Sequence, residues 1–210
     1  MIPMIALLTM LSAGTLKAQT GFGVKGSFNM VNMLFKDAND KKLETDMIPG
    51  FDAGVFAEVK IADEFYLRPE LLYTQKGNNY ELLLIETKTT VSYIELPVNF
   101  LYKGALSNGF VMVGFGPYFA YGIGGTAKTG SVSVDVKFAN DYTDASGLAV
   151  YYRPFDMGGK VMAGYEMPFG LQVALNASLG MSNNVPKFNG KEPETTVKHM
   201  GFGLSLGYKF

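Results

Sequence analysis

Met200-Gly201-Phe202-Gly203-Leu204-Ser205-Leu206-Gly207-Tyr208-Lys209-Phe210 decides the fold. Every even position is apolar or aromatic, and every odd one is Gly, Ser or Lys. A period of two means a β-strand with one apolar face. Its length is what a tilted strand needs to cross a bilayer. Outward from this stretch, the same alternation recurs at 21–32, 50–61, 64–76, 91–103, 109–123, 155–168 and 170–182.

The connections alternate in length. Ala62-Asp63, Gly104 to Asn108 and Pro168-Phe169-Gly170 are short, whereas 33–49, 77–90, 124–154 and 183–197 are long. Short turns at one end and long loops at the other are the plan of a transmembrane barrel. The expected fold is therefore all-β, an eight-stranded antiparallel up-and-down transmembrane β-barrel, with both termini at the short-turn, periplasmic side. Leu82-Leu83-Leu84-Ile85 and Val132, Val134, Val136 read as strand extensions rising into the second and third loops. Residues 1–18 read as a signal peptide: Ile5 to Ala13 is apolar but too short for a spanning helix, and cleavage fits after Ala18. Residues 19–210 are then one outer-membrane β-barrel domain, and the expected location is the bacterial outer membrane.

Sorting the strands by phase separates two faces. One carries Phe22, Val24 and Phe28; Phe51 and Val55; Leu67 and Leu71; Ile94 and Leu96; Val113 and Phe115; Phe155 and Val161; Leu175 and Leu179; and the even residues of the last strand, with no charge among them. The other carries Lys25, Asp52, Glu58, Lys60, Arg68, Glu70, Glu95, Lys103, Asp156, Lys160, Glu166 and Lys209. A soluble barrel of lipocalin type would turn its apolar face inward and a densely charged face to water. Here much of the polar face is Gly114, Gly116, Ser178, Gly201, Gly203 and Ser205, and small residues suit a crowded lumen. The apolar face therefore suits lipid. Pro69, Pro97 and Pro117 fall inside strands, where each removes a ladder donor, so bulges that invert the phase are expected there.

Composition excludes several functions. The net charge of −1 gives no field for nucleic acid. With no Cys, disulfides, thiol catalysis and Cys-ligated metals are out. Gly122-Ile123-Gly124-Gly125-Thr126-Ala127-Lys128-Thr129 imitates a phosphate loop, but Ala127 stands where Gly must precede Lys, and no helix pattern follows. Asp135, Asn140, Asp141 and Asp144 lack EF-hand spacing. No metal or cofactor is expected.

Several blocks carry a resemblance: Gly23-Val24-Lys25-Gly26, Gly50-Phe51-Asp52-Ala53-Gly54-Val55-Phe56, Leu67-Arg68-Pro69-Glu70-Leu71-Leu72-Tyr73, Tyr93-Ile94-Glu95-Leu96-Pro97-Val98 and Gly114-Phe115-Gly116-Pro117-Tyr118. Together they resemble the outer-membrane β-barrel family of Bacteroidota, the PorT-like proteins. The resemblance implies fold and location rather than a reaction. Some PorT-like members are linked with a secretion system of the outer membrane, but no motif here is specific to that role. The aromatic end of the last strand resembles the signal by which such barrels are recognised for insertion, which assigns Tyr208 and Phe210 to the barrel assembly machinery.

The inward charges balance, six positive against six negative, and unpaired charge is costly away from water, so pairing is expected. A tight turn at Ala62-Asp63 puts Glu58 near Arg68, with Glu70 and Glu95 completing the site around its fork. The expected lumen charge network is Lys25, Glu58, Arg68, Glu70, Glu95 and Lys160. Such a network reads as a plug more readily than a gate, since eight strands leave an interior only wide enough for side chains. His199 is the sole His, and Ser182 and Ser205 are the nearest in-strand hydroxyls. Tyr142, Tyr151, Tyr152 and Phe188 are candidate contact residues on the loops. The expected function is a structural or interaction role, not an enzyme, with outer-membrane lipid around the barrel and an envelope protein as partner. Its finer form is an accessory subunit of an envelope or secretion complex. The alternatives are a small diffusion channel and a membrane-embedded hydrolase or acyltransferase using His199.

Overall fold

The computed structural model describes residues 20–37, 41–43, 45–82, 85–143 and 149–210. The expected signal peptide at 1–18 lies outside them, as do Leu83, Leu84 and Asp144. The strands are β1 (Thr20–Lys36), β2 (Ile48–Ala62), β3 (Phe65–Leu82), β4 (Ile85–Leu106), β5 (Gly109–Thr129), β6 (Val132–Phe138), β7 (Asp141–Tyr142), β8 (Ala149–Tyr152), β9 (Phe155–Glu166), β10 (Leu171–Gly180), β11 (Lys187–Phe188) and β12 (Thr196–Lys209). Eight of them close a ring in the order β1-β2-β3-β4-β5-β9-β10-β12, with β12 paired back onto β1. Every neighbouring pair in the ring is antiparallel. Closure satisfies both edges of each strand, the condition for crossing a bilayer with strands.

Alternation survives around the ring. Phe22, Phe28, Val55, Leu71, Leu96, Phe115, Val161, Leu175 and Leu206 are exposed on the outer face. Lys25, Asp52, Glu58, Arg68, Glu70, Glu95, Lys103 and Glu166 are buried on the inner one. Aromatic pairs sit on the outer wall towards the short-turn end (Phe65 with Phe100 and Tyr102; Tyr208 with Phe210) and nearer the loop end (Phe51 with Tyr73; Phe119 with Phe155). Rings in these places suit the two membrane–water interfaces.

The bulges expected at the prolines do not occur. Pro69↔Val98 and Leu72↔Glu95 share one register, as do Pro97↔Tyr118 and Phe100↔Phe115, and Pro117↔Gly159 lies within an unbroken ladder. Each proline gives up one donor, but its fixed φ stays in the extended region, so pairing resumes in phase. The register shifts instead between Lys60 and Ala62, and between Ser92 and Tyr93. At the second shift Ser92 pairs with Gly124 and Tyr93 with Gly122, leaving Ile123 as the extra residue. The phase of β5 inverts there: Ala120 and Gly122 are buried below the bulge, Ala127 above it.

The expected long third loop is largely strand. β5 runs to Thr129, turns at Gly130 (φ 57°) and returns as β6, on which β8 pairs in parallel. This flap folds over the loop end of the ring. Met33, Val91, Tyr93, Tyr118, Ala120, Ala127, Val136, Tyr152 and Val197 form a buried apolar roof there, with Phe35 and Phe138 packed against it. A smaller apolar cluster of Leu101, Met112, Met162 and Ala174 fills the lumen towards the short-turn end. The charges lie between the two and also below the smaller one, where Lys103, Glu166 and Lys209 sit nearer the short turns.

Candidate functional site

The lumen is the site, and strand register assembles it. The β2–β3 ladder, with Phe56↔Glu70 and Val59↔Leu67, puts Glu58 opposite Arg68. Arg68 Nη1 donates to Glu58 Oε1 at 3.2 Å and to Gln172 Oε1 at 2.8 Å, while Arg68 Nε lies 2.9 Å from Glu70 Oε1. Lys25 Nζ donates to Glu70 Oε2 at 3.0 Å. Lys103 bridges Glu58, at 2.8 Å, and Glu166, and Lys209 Nζ reaches Glu166 Oε1 at 2.5 Å. Gln172 Nε2 donates to Glu58 Oε1 at 3.1 Å and to Glu166 Oε2 at 2.6 Å. The guanidinium also lies 3.7 Å from the centroid of the Phe56 ring, a cation–π contact. Phe56 has room only because Gly23 faces it: a Cβ at that glycine would stand 2.2 Å from the ring.

A second network lies nearer the roof. Lys160 pairs with Glu95, and Lys76 joins Glu95 to Asp156 at 2.9 Å each. Asp156 is its hub. Oδ2 accepts from Tyr118 OH at 3.2 Å and lies 3.1 Å from His199 Nδ1. Oδ1 accepts from Ser182 Oγ at 2.7 Å and from Asn184 Nδ2 at 3.2 Å. One carboxylate therefore ties β3, β5, β9, β12 and the segment after β10 together.

All six residues of the expected lumen network are buried or nearly so and are ion-paired, but they do not form one cluster. Glu95 does not reach Arg68. Asn99 is the residue opposite Arg68 on β4, and Glu95 stands opposite Leu72, further towards the roof. Lys60 is not inside the lumen either: it pairs with Asp63 at the short turn, 2.9 Å away. Lys76, the last residue of the expected third stretch and in phase with Arg68 and Glu70, takes an interior place that the expected inner face did not include. Strand patterning put Asp156 on the inner face without showing it as a hub, and it did not single out Gln172, Phe56 or Lys76.

His199, Asp156 and Ser182 do meet, but in the wrong order for nucleophilic catalysis. In a Ser–His–Asp triad the imidazole stands between hydroxyl and carboxylate. Here the carboxylate stands between the other two, and Ser182 donates to it. Ser205 donates to the Ala174 carbonyl at 3.2 Å. Of the loop candidates, Tyr152 is buried in the roof. Tyr142 and Tyr151 stack at 4.5 Å between centroids, and Phe188 packs on Tyr142 at 5.1 Å. This aromatic group is held by the parallel β7–β11 pair and by Glu192, which binds Lys187 at 2.6 Å and Arg153 at 3.0 Å. The bond from Lys187 holds the Glu192 carboxyl below its ordinary value. Tyr208 and Phe210 are exposed on the outer wall, and Phe210 N donates to the Phe22 carbonyl at 2.9 Å, which seals the β12–β1 seam at its end.

A closed antiparallel ring with an apolar exterior and a charged, filled interior defines a membrane β-barrel. The family model of the outer membrane protein beta-barrel domain matches residues 17–184, and the chain belongs to that family. It is a protein of the bacterial outer membrane. Among solved structures it is similar to the Neisserial surface protein A, with 14% identity over 90% of this chain and 97% of that one and a TM-score of 0.47. It is also similar to OprG from Pseudomonas aeruginosa, with 12% identity over 92% and 97% and a TM-score of 0.47. A third similar structure is Ail of Yersinia pestis, with 14% identity over 90% and 99% and a TM-score of 0.41. No curated protein matches the sequence.

Proposed function

We propose that this chain is a closed, non-conducting outer-membrane barrel with a structural or interaction role, which presents a folded outer cap to another protein of the cell envelope. The observation that carries this reading is the construction of the cap. Asp156 anchors Ser182 and Asn184 from inside the lumen, and the roof packs the flap onto the barrel wall. Rigid loops suit recognition, because little ordering is left for binding. Tyr142, Tyr151 and Phe188 are the contact group, with Phe188 the most open of the three at 40% exposed. The resemblance to PorT-like proteins favours an accessory place in an envelope or secretion complex. Tyr208 and Phe210 serve recognition by the barrel assembly machinery, and membrane lipid covers the apolar wall.

The double variant Tyr142→Ser/Phe188→Ser tests the reading. A defined envelope protein that co-purifies with wild type from native membranes should be lost, while the barrel keeps its heat-dependent gel shift. Retention of every co-purifying protein would remove the aromatic group from the interface. For assembly, Phe210→Ala should lower outer-membrane yield more than it lowers the stability of refolded protein, and equal yields would remove that role.

A further inference from the structure

Beside Lys76 and Lys160 of the network nearer the roof, the lumen holds a small cavity of about 30 Å³. Asp52, Thr74 and Lys160 line it together with Asn176, Ser178 and Gly201. The space exists because the β10–β12 wall carries small side chains at this level. Asp52 Oδ1 and Thr74 Oγ1 are buried and have no hydrogen-bond partner among the described residues, although their residues are only 7% and 3% exposed. The two residues are directly opposed in the β2–β3 ladder. Ser27, opposite Asp52 on β1, carries a third such atom in its Oγ. Lys160 Nζ stands 4.0 Å from Asp52 Oδ2, too far for a direct hydrogen bond.

We infer that this cavity is a structural hydration site. Its size suits about two water molecules, and a buried water needs two to four polar partners, which Asp52, Thr74 and Lys160 supply. A water here closes the gap between Lys160 and Asp52. The surroundings select a neutral ligand: the ammonium groups of Lys160 and Lys76 repel a cation, and the Asp52 carboxylate repels an anion. The lumen is then closed but not dry at this level.

The test reads magnetisation transfer from long-lived water to threonine methyl groups in perdeuterated, methyl-labelled protein in nanodiscs. Thr74 should show a cross-peak at the water frequency. Thr89, which is as deeply buried at 4% exposed but does not line the cavity, should show none and controls for relay through its own hydroxyl. Gly201→Ala should fill part of the space, since its Cβ would stand 3.2 Å from the Met30 carbonyl oxygen and 3.6 Å from Ser178 Oγ. It should cut the Thr74 peak by about half or more, with one of about two waters displaced, while the gel shift shows a folded barrel. Ser178→Val is the second filling variant if Gly201→Ala does not fold. A silent Thr74 methyl in wild type overturns the site. So does a peak of full intensity in a folded filling variant, or an equal peak at Thr89.

Discussion

Arg68 is the residue on which the lower network turns. It touches Glu58, Glu70 and Gln172 and lies against Phe56, and it is 1% exposed. Arg68→Ala leaves two carboxylates short of a partner in a site that water does not reach, so it should destabilise the barrel by about 3–5 kcal/mol. Urea unfolding in detergent measures this, and a midpoint equal to wild type would mean the network carries no net stability. On the outer wall, Leu175 is exposed to the bilayer, and Leu175→Arg should cost about 2–4 kcal/mol near mid-membrane. A neutral outcome would put residue 175 out of the hydrocarbon region. Much at this scale was legible in the chain, because a period of two assigns each side chain to a face and a tight turn fixes the nearest register. Glu58 and Glu70 around Arg68 follow from that. Glu95 was grouped with them because its face was readable but its height was not. Gln172 was missed because it approaches Arg68 across the lumen, from a strand 104 residues further along the chain, and no local spacing encodes a contact across a closed ring.

The cap is the element whose form the sequence disclosed least. The alternation of Val132, Val134 and Val136 marks a strand, but nothing local says that it bends inward over the mouth. The bend rests on the bulge at Ile123 and on Gly122, whose missing side chain makes room for Phe138: a Cβ there would lie 2.1 Å from that ring. Phe138 in turn meets Tyr93 edge-on at 5.7 Å. Gly122→Ala should therefore expel Phe138 and loosen β6 and β8 without opening the ring. Limited proteolysis should cut within 132–152 far faster than in wild type, with the heat-dependent gel shift retained; resistance equal to wild type would mean that the roof tolerates the displaced ring. The outer ties of the cap are electrostatic. Because the Glu192 carboxyl is held below its ordinary value of 4.5, chiefly by Lys187, its tie is fully present above that value and is lost as pH falls through the depressed one. Amide exchange at Lys187 and Phe188, corrected for the intrinsic rate, should stay flat from neutral pH to about the ordinary carboxylate range and rise only in stronger acid. Glu192→Gln should show the faster exchange already at neutral pH. The effect should be small, since exposed pairs contribute little, and identical exchange in the variant would assign the ordering of β11 to the aromatic group alone.

For the whole molecule, the decisive property is that the lumen is obstructed at every level. From the short turns upward it passes the Arg68 network, whose Lys103, Glu166 and Gln172 stand below Leu101, Met162 and Ala174 of the interleaved apolar cluster, then the Asp156 network and the apolar roof. The ring itself was legible, because eight alternating stretches joined by alternately short and long connections admit few other closures. The filling was legible in kind, since an eight-stranded barrel leaves room only for side chains, but not in its layering, which depends on which rows meet after closure. The layering yields a prediction that distinguishes a barrier in the cap from one in the barrel. Purified wild type in planar bilayers should pass no steady current. Replacing 132–152 by a short Gly/Ser linker removes β6, β8 and Tyr152 from the roof, yet it leaves both ion networks and the lower cluster in place. That variant should also pass no steady current, because each buried lysine or arginine is still held by at least one carboxylate. An ion entering from the loop end would have to break those pairs with no bulk solvent to replace them. A steady current in the variant alone would locate the barrier in the cap and leave the networks as a lining. A steady current in wild type would overturn the closed barrel outright and make the diffusion channel the better reading.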